Sequence, residues 1–265
     1  MTVTLQATEY GAGEPVAILH GLFGSGRNWA NIAQRLSANW RVIAFDLRNH
    51  GGSPWSDTMD YVAMADDVRA AMQARGHGRY SLIGHSLGGK VAMVAALTEP
   101  GPVESLVVVD IAPVSYPTMP YAAYVQAIRA LDLGAISRRR DADAKLAGTV
   151  GDATQRAFLL QNLVLGDGPP HWRINLTAIE AALSTLAGFP SLPADAQYTG
   201  PALFIAGGKS RSLAAEHEPA VTARFCNAAI VRLAEAGHWV HADAPEAFLG
   251  LVERFLATRI FSNAD

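Results

Sequence analysis

Short apolar runs recur along this chain, and they constrain its fold more than any other feature. They are rich in Val, Ile, Leu and Phe, and polar side chains do not alternate with apolar ones within them. The four clearest runs cover residues 16–19, 42–45, 106–109 and 202–206. Such runs are typical of strands that are buried on both faces of a sheet.

Segments with helical spacing of apolar residues lie between these runs. Four segments show it most clearly, at residues 29–36, 64–72, 91–97 and 248–255. Strands that alternate with helices favour a mostly parallel sheet with helices on both faces. The sequence therefore predicts an α/β fold with a mostly parallel central sheet flanked by helices.

The alternation stops in the middle of the chain. No convincing strand is predicted from 113 to 200, and helices are predicted at residues 121–131, 141–150, 154–165 and 174–186. Strand character returns at Ala202. We therefore expect a core formed by residues 1–112 and 201–265, with residues 113–200 inserted as a helical cap.

Composition narrows the class of protein. The chain has 265 residues, of which 50% are hydrophobic, enough for one substantial core. A net charge of −3 does not indicate the strongly basic surface that nucleic-acid binding usually needs. The single cysteine allows no intrachain disulfide. No apolar run approaches the roughly 20 residues that span a bilayer, and the first ten residues do not resemble a secretory signal. We expect a soluble cytoplasmic protein with no membrane span and no nucleic-acid partner; its oligomeric state is open.

The sequence Tyr-Ser-Leu-Ile-Gly-His-Ser-Leu-Gly-Gly at residues 80–89 carries the central chemical signal. It contains the pattern G-x-S-x-G, with Ser86 at its centre, after an apolar strand and before a helix. In this context the serine lies on a sharp turn that exposes its Oγ, and the following helix offers amide hydrogens to a developing oxyanion. Ser86 is therefore the predicted nucleophile.

An apolar strand also leads into the segment His-Gly-Leu-Phe-Gly at residues 20–24. A loop at this place in the chain supplies the other amide of an oxyanion hole in enzymes with a G-x-S-x-G turn. The backbone N–H groups of Leu22 and Leu87 are the predicted donors, with Phe23 as an alternative to Leu22. His20 is interpreted as a structural histidine that ends the strand.

A serine hydroxyl is a weak nucleophile unless a base removes its proton. His238 follows Gly237 in a loop after the last predicted strand and before the terminal helix, which fits the chain order serine, acid, histidine. His238 is therefore the predicted general base. His85 is interpreted as structural and His241 as a surface residue.

With these pieces in place, the whole chain resembles the α/β-hydrolase superfamily, and more closely the small bacterial YbfF-type esterases. The matching stretches are HGLFGS at 20–25, DLRNHGGSP at 46–54, IGHSLGGK at 83–90, DIAPV at 110–114, WRIN at 172–175 and AGHWVHADAP at 236–245. The resemblance implies hydrolysis of acyl esters or thioesters beneath a helical cap. It also implies that no metal or organic cofactor is needed.

The acid of the catalytic group is where this sequence departs from the superfamily. The usual position lies in a G-x-x-D turn, but here the turn reads Gly-Gly-Lys-Ser and ends at Ser210. A neutral hydroxyl can orient an imidazole but stabilises its cation less than a carboxylate does. Asp110 follows another strand, where some members of the fold carry their acid, and is the favoured candidate. Ser210 as an orienting group, and Glu216 or Glu218, remain alternatives.

Substrate-binding groups are harder to assign from residue types. Phe23, Tyr121, Trp172 and Trp239 are the candidates for the pocket, although packing of the cap would explain the cap residues equally well. Arg138 to Arg140 are interpreted as a solvated helix face. As an alternative, they would meet the phosphates of an acyl-CoA, for which Lys90, Lys209 and Arg211 are weaker candidates.

Two other functions remain open. A carbon–carbon bond hydrolase uses the same catalytic group on the same fold, and the fold also includes non-catalytic ligand-binding proteins. Ser86 argues against the dehalogenases and epoxide hydrolases of the fold, because their nucleophile is a carboxylate.

Overall fold

A computed structural model describes residues 1–116, 120–166 and 168–260. These residues form a seven-stranded sheet in the order β1-β3-β2-β4-β5-β8-β9. β1 is antiparallel to β3, and every other pair of neighbours is parallel. The strands are β1 Ala7–Tyr10, β2 Pro15–Leu19, β3 Arg41–Phe45, β4 Tyr80–His85, β5 Val103–Val109, β8 Ala202–Gly207 and β9 Ala228–Leu233. The predicted fold class is confirmed.

Helices cover both faces of this sheet. They are α1 Ala30–Leu36, α2 Tyr61–Ala74, α3 Leu87–Thr98, α8 Glu218–Arg224, α9 Val240–Asp243 and α10 Pro245–Thr258. Successive strand residues point to opposite faces, so Val16 and Ile18 of β2 pack with α1 and α10, whereas Ala17 and Leu19 pack with α2 and α3. The sheet therefore separates two apolar layers, which explains why its strands lack alternation in the sequence.

The segment between β5 and β8 is mostly helical. It contains α4 Tyr121–Arg129, α5 Arg139–Leu146, α6 Ala153–Leu160 and α7 Leu176–Ala187. Apolar residues of α4, α6 and α7 join the core layer on the α2 and α3 side of the sheet. A small separate cluster packs α5 against the end of α6. That residues 113–200 form a separate cap stays a prediction.

The expectation that this segment contains no strand was wrong. Two short strands, β6 Leu163–Val164 and β7 His171–Trp172, pair antiparallel. The helix predicted to reach residue 165 ends at Leu160, and the helix predicted from residue 174 begins at Leu176 with Asn175 as its N-cap. Two-residue strands leave too few positions for a period to be read from sequence.

The connectivity brings all the predicted chemical groups to one edge of the sheet. The carboxyl ends of parallel strands share an edge, and the loops after β2, β4, β5, β8 and β9 carry these groups. Ligand sites in open α/β sheets lie at this edge. In the described part of the chain, no helix is both long enough and apolar enough to cross a membrane.

Candidate active site

Ser86 lies in a sharp turn between β4 and α3. Its backbone angles are φ 51° and ψ −116°, which are sterically costly for a residue with a side chain. A Cβ at Gly84 would lie 2.2 Å from the carbonyl oxygen of Gly88, and a Cβ at Gly88 would lie 2.3 Å from that of Leu19. The two glycines therefore let the turn close on itself and against β2.

Leu22 and Leu87 both line a small cavity at Ser86. Leu87 is the first residue of α3, so its N–H has no acceptor within the helix, and the positive end of the helix dipole favours an anion there. The N–H of Phe23, the alternative donor, donates to Nε2 of His50 at 3.2 Å. Leu22 is therefore a better candidate than Phe23 for the second oxyanion donor.

His20 fixes the start of the loop that carries Leu22. Its Nδ1–H donates to the carbonyl oxygen of Gly21 at 2.8 Å, and its Nε2 accepts the N–H of Leu47 at 2.9 Å. Burial lowers the pKa of His20 to about 4, so the ring is neutral near pH 7 and its Nε2 remains an acceptor. This is the structural role expected from the sequence.

His50 and Asn162 hold the same loop from two other sides. The Nδ1–H of His50 donates to the carbonyl oxygen of Arg48 at 2.9 Å, which leaves Nε2 to accept from Phe23. Burial lowers the pKa of His50 to about 3. The Nδ2 of Asn162, just after α6, donates to the carbonyl oxygen of Phe23 at 2.8 Å. The oxyanion loop is therefore tied to the helical segment as well as to the sheet.

Asp110 follows β5 and is fully buried, with φ 50°. Its Oδ2 lies 2.6 Å from Nδ1 of His238, and its Oδ1 accepts the N–H of Gly207 at 2.9 Å. The hydroxyl of Ser210 donates to Oδ2 at 2.5 Å. The two leading candidates for the acid position thus belong to one network, in which the carboxylate contacts the imidazole and the hydroxyl contacts the carboxylate.

The other carboxylates considered from the sequence lie elsewhere. Glu218 forms an exposed ion pair with Arg232 at 3.2 Å, and Glu216 lies in a short 3-10 turn. Among the described residues, neither forms a hydrogen bond or ion pair with His238, and no three His, Cys, Asp or Glu side chains form a metal-binding cluster.

Ser212 is a neighbour of the imidazole that the sequence analysis missed. Its Oγ lies 3.3 Å from Nδ1 of His238, and its N–H donates to Oγ of Ser210 at 3.1 Å. Its carbonyl oxygen accepts the phenol hydrogen of Tyr116, whose oxygen accepts the N–H of Ala112 at 2.9 Å. A single loop serine is not part of any recognisable sequence pattern. The contact arises because Ser212 follows β8 and His238 follows β9, which are neighbours in the sheet.

His85, just before the nucleophile, holds the backbone of the histidine loop. Its Nε2–H donates to the carbonyl oxygen of His238 at 2.9 Å. Burial, followed by the neighbouring His238 and His241, lowers the pKa of His85 well below its usual value, so the ring is neutral. His241 is buried and stacks on Trp29 with ring centroids 3.9 Å apart, so its interpretation as a surface residue was wrong.

Tyr121 of α4 lies at the small cavity beside Ser86. Its ring packs edge-on against Phe23 at 5.8 Å. Burial raises the pKa of Tyr121, so the phenol stays protonated. Among the described residues, the Ser86 hydroxyl forms no hydrogen bond with His238, and hydrogen bonds of this kind are often long in the absence of substrate.

The two tryptophans predicted to bind substrate lie in different places. Trp239 follows His238 and packs against Phe158 of α6 at 5.2 Å, where both line an apolar surface groove. Trp172 lies in β7, pairs with Leu163 and packs into the helical segment. It is not among the residues that line the cavity at Ser86. Packing is the simpler explanation for Trp172.

Comparison with known proteins identifies the family of this chain. The family described as alpha/beta hydrolase fold matches residues 14–245. The sn-1-specific diacylglycerol lipase ABHD11 of Xenopus laevis is 40% identical over 92% of this chain and 80% of its own length. Esterase YbfF of Escherichia coli is 34% identical over 91% of this chain and 92% of its own.

A solved structure shows the same relationship. The structure described as a marine microorganism esterase is 33% identical and superposes with a TM-score of 0.92, covering 96% of this chain and 100% of its own. The chain therefore belongs to the α/β-hydrolase family. The resemblance to YbfF-type esterases found in the sequence is confirmed.

Proposed function

We propose that this protein is a serine hydrolase that cleaves acyl esters through an acyl-enzyme on Ser86. The observation that carries the proposal is the 2.6 Å contact between the buried Asp110 carboxylate and Nδ1 of His238, at the sheet edge that carries the Ser86 turn. The family and the relatives named esterases and lipases support a carboxylic ester hydrolase.

The reaction would proceed in two halves. The Nε2 of His238 takes the proton of Ser86 as Oγ attacks the ester carbonyl, and the amides of Leu22 and Leu87 stabilise the oxyanion. The tetrahedral intermediate collapses as His238 gives the proton to the departing alcohol, which leaves an acyl ester on Ser86. His238 then takes a proton from water as its oxygen attacks the acyl group, and the second tetrahedral intermediate collapses as His238 returns that proton to Oγ of Ser86, which releases the acid and restores the enzyme.

Asp110 supports both halves by its charge. Positive charge develops on the imidazole each time it holds the transferred proton, and a buried carboxylate at Nδ1 stabilises it. The N–H of Gly207 and the hydroxyl of Ser210 bind the two carboxylate oxygens and hold the carboxylate in the ring's reach. His85 positions the imidazole from the opposite side through the backbone of His238.

Thioesters remain a second substrate class within the proposal. Of the cations considered for the phosphates of CoA, Arg139 donates to the carbonyl oxygens of Leu160 and Leu163, and Lys209 pairs with Glu235 at 2.8 Å. Lys90 is buried at the cavity floor, away from the surface where CoA phosphates would lie. Arg138, Arg140 and Arg211 are the remaining candidates.

We expect the wild type to hydrolyse p-nitrophenyl esters, and Ser86→Ala to reduce kcat by about 10⁵-fold or more because no nucleophile remains. The substrates to be compared are p-nitrophenyl esters with acyl groups from acetyl to dodecanoyl, CoA thioesters of the same acyl groups, and a vinylogous ketone. Turnover of the ketone alone would indicate a carbon–carbon bond hydrolase. Ester binding with no turnover of any substrate would indicate a non-catalytic binder.

A further inference from the structure

Lys90 is a buried cation close to the nucleophile. It lies one helical turn after Ser86 on α3, and only 2% of its surface is exposed. Its Nζ donates to the carbonyl oxygens of Ala187, at 3.2 Å, and of Gly188. These oxygens belong to the C-terminal end of α7, where the helix dipole is negative and favours a cation. Two of the three ammonium hydrogens are therefore used.

The surroundings of this ammonium contain aromatic rings but no counter-ion. Nζ lies 4.8 Å from the ring centroid of Tyr116 and 5.5 Å from that of Tyr61. Burial raises the pKa of both phenols, so neither provides a negative charge near pH 7. In the part of the chain that the structure describes, no carboxylate forms an ion pair with Lys90. Burial accordingly lowers the pKa of Lys90 to about 7.

A buried charge without a counter-ion is costly, and the two carbonyl oxygens and two aromatic rings around Lys90 offset only part of that cost. If Lys90 only filled space, its replacement by an apolar side chain of similar shape would stabilise the protein. The location therefore matters: Lys90 lines the same cavity as Ser86, Leu22 and Leu87.

The cavity that Lys90 and Ser86 line is small. Its volume is about 20 Å³, room for roughly one water molecule. Tyr61, Lys90 and Leu186 line it together with Ser86. A long acyl chain has no space there, and even a short acyl chain enters only when Tyr121 or Leu186, which also line the cavity, moves outward.

We propose that Lys90 is a specificity-determining residue that selects short acyl groups ending in a carboxylate. The proposal rests on the proposed function, because it assigns the cavity to the acyl part of the ester. The acyl carbonyl lies between Ser86 and the amides of Leu22 and Leu87, and the terminal carboxylate accepts the third ammonium hydrogen. The ligand supplies the missing counter-ion in a site that excludes water, where a charge-assisted hydrogen bond is strong.

The test compares two ethyl esters whose acyl groups have the same shape. Monoethyl succinate ends in a carboxylate, and ethyl 4-methylpentanoate ends in a neutral isopropyl group. We expect wild-type kcat/KM to favour the succinate ester, and Lys90→Met to reduce the ratio of the two kcat/KM values by about 10- to 100-fold, the loss expected for one hydrogen bond between charged groups. An unchanged ratio in Lys90→Met would overturn the proposal.

Lys209→Met is the matched control, because Lys209 is exposed and pairs with Glu235 away from the cavity. It should leave the ratio as in the wild type. An equal loss of both activities in Lys90→Met would mean that Lys90 only supports the end of α7, which contradicts a role in selectivity.

Binding of succinate separates this inference from the proposed function. Titration calorimetry should detect succinate binding to the wild type and to Ser86→Ala, and at least tenfold weaker binding to Lys90→Met. Failure of the wild type to bind succinate would overturn the role of Lys90, whatever esters are cleaved. Failure of the wild type to cleave either ester, with succinate binding intact, would instead overturn the proposed function.

Discussion

Replacing Asp110 by Asn is expected to lower kcat by about 10³- to 10⁴-fold while the protein stays folded. The amide has the shape of the carboxylate but no charge, so it cannot stabilise the imidazolium that forms with the oxyanion. Its NH₂ group at the position of Oδ2, 2.6 Å from Nδ1 of His238, would also favour the tautomer with the proton on Nε2. That tautomer cannot take the proton of Ser86.

The matched comparison is Ser210→Ala. Ser210 contacts the carboxylate and not the ring, so its loss removes one orienting hydrogen bond of about 1.4 kcal/mol, or roughly tenfold in rate. Both variants should be compared by kcat/KM on one ester, with folding checked by circular dichroism. A larger loss from Ser210→Ala than from Asp110→Asn would show that the carboxylate is not the group on which the imidazole depends.

His238→Ala is expected to lower kcat by about 10⁴-fold or more, because no other group in the site would take the proton of Ser86. The neighbouring histidines do not substitute for it. Burial lowers the pKa of His241 to about 3, and the Nε2–H of His85 is already donated to the backbone of His238. Added imidazole should restore part of the activity, since the His238 side chain is 32% exposed and the space left by its ring is therefore open to solvent.

The control for this variant is His171→Ala. His171 is exposed in β7, and its imidazole hydrogen-bonds to the carbonyl oxygen of Pro169, so its replacement should leave kcat unchanged. If His238→Ala kept most of its activity, another group would have to be the base. The contact between Asp110 and His238 would then have no role in catalysis.

The layered architecture was predictable because its signal is local. Buried strands of four to seven residues leave continuous apolar runs, and the flanking helices leave a period of 3.6. The turn at Ser86 was predictable for the same reason, since Gly84 and Gly88 are required within five residues of sequence. The short β6–β7 pair was missed because two residues show no period.

The acid could not be decided from sequence, for a reason that the strand order makes clear. Asp110 and Ser210 are 100 residues apart, and they meet because β5 and β8 are neighbours in the sheet. From sequence they are competing candidates, whereas the fold puts them in contact. The environment of Lys90 could not be predicted from sequence either. Its partners, the carbonyl oxygens of Ala187 and Gly188, lie at the end of α7, almost 100 residues further along the chain.

The same limit applies to the residues that position others. His85 and Ser212 act on His238 through contacts that depend on the loop after β9. Nothing in their immediate sequence distinguishes them from ordinary buried or loop residues. Their effects are expected to be smaller than those of Asp110, because neither carries charge.

The central claim is that Ser86 forms the covalent bond to the acyl group, and labelling with a fluorophosphonate tests it most directly. The reagent needs an activated serine hydroxyl beside an oxyanion hole, so it reports the site without knowledge of the substrate. Intact-mass measurement of the wild type should show one adduct per chain, and peptide mapping should find it on Ser86, with no adduct on Ser86→Ala. An adduct on any other serine, or an unlabelled wild type that still hydrolyses esters, would contradict the account.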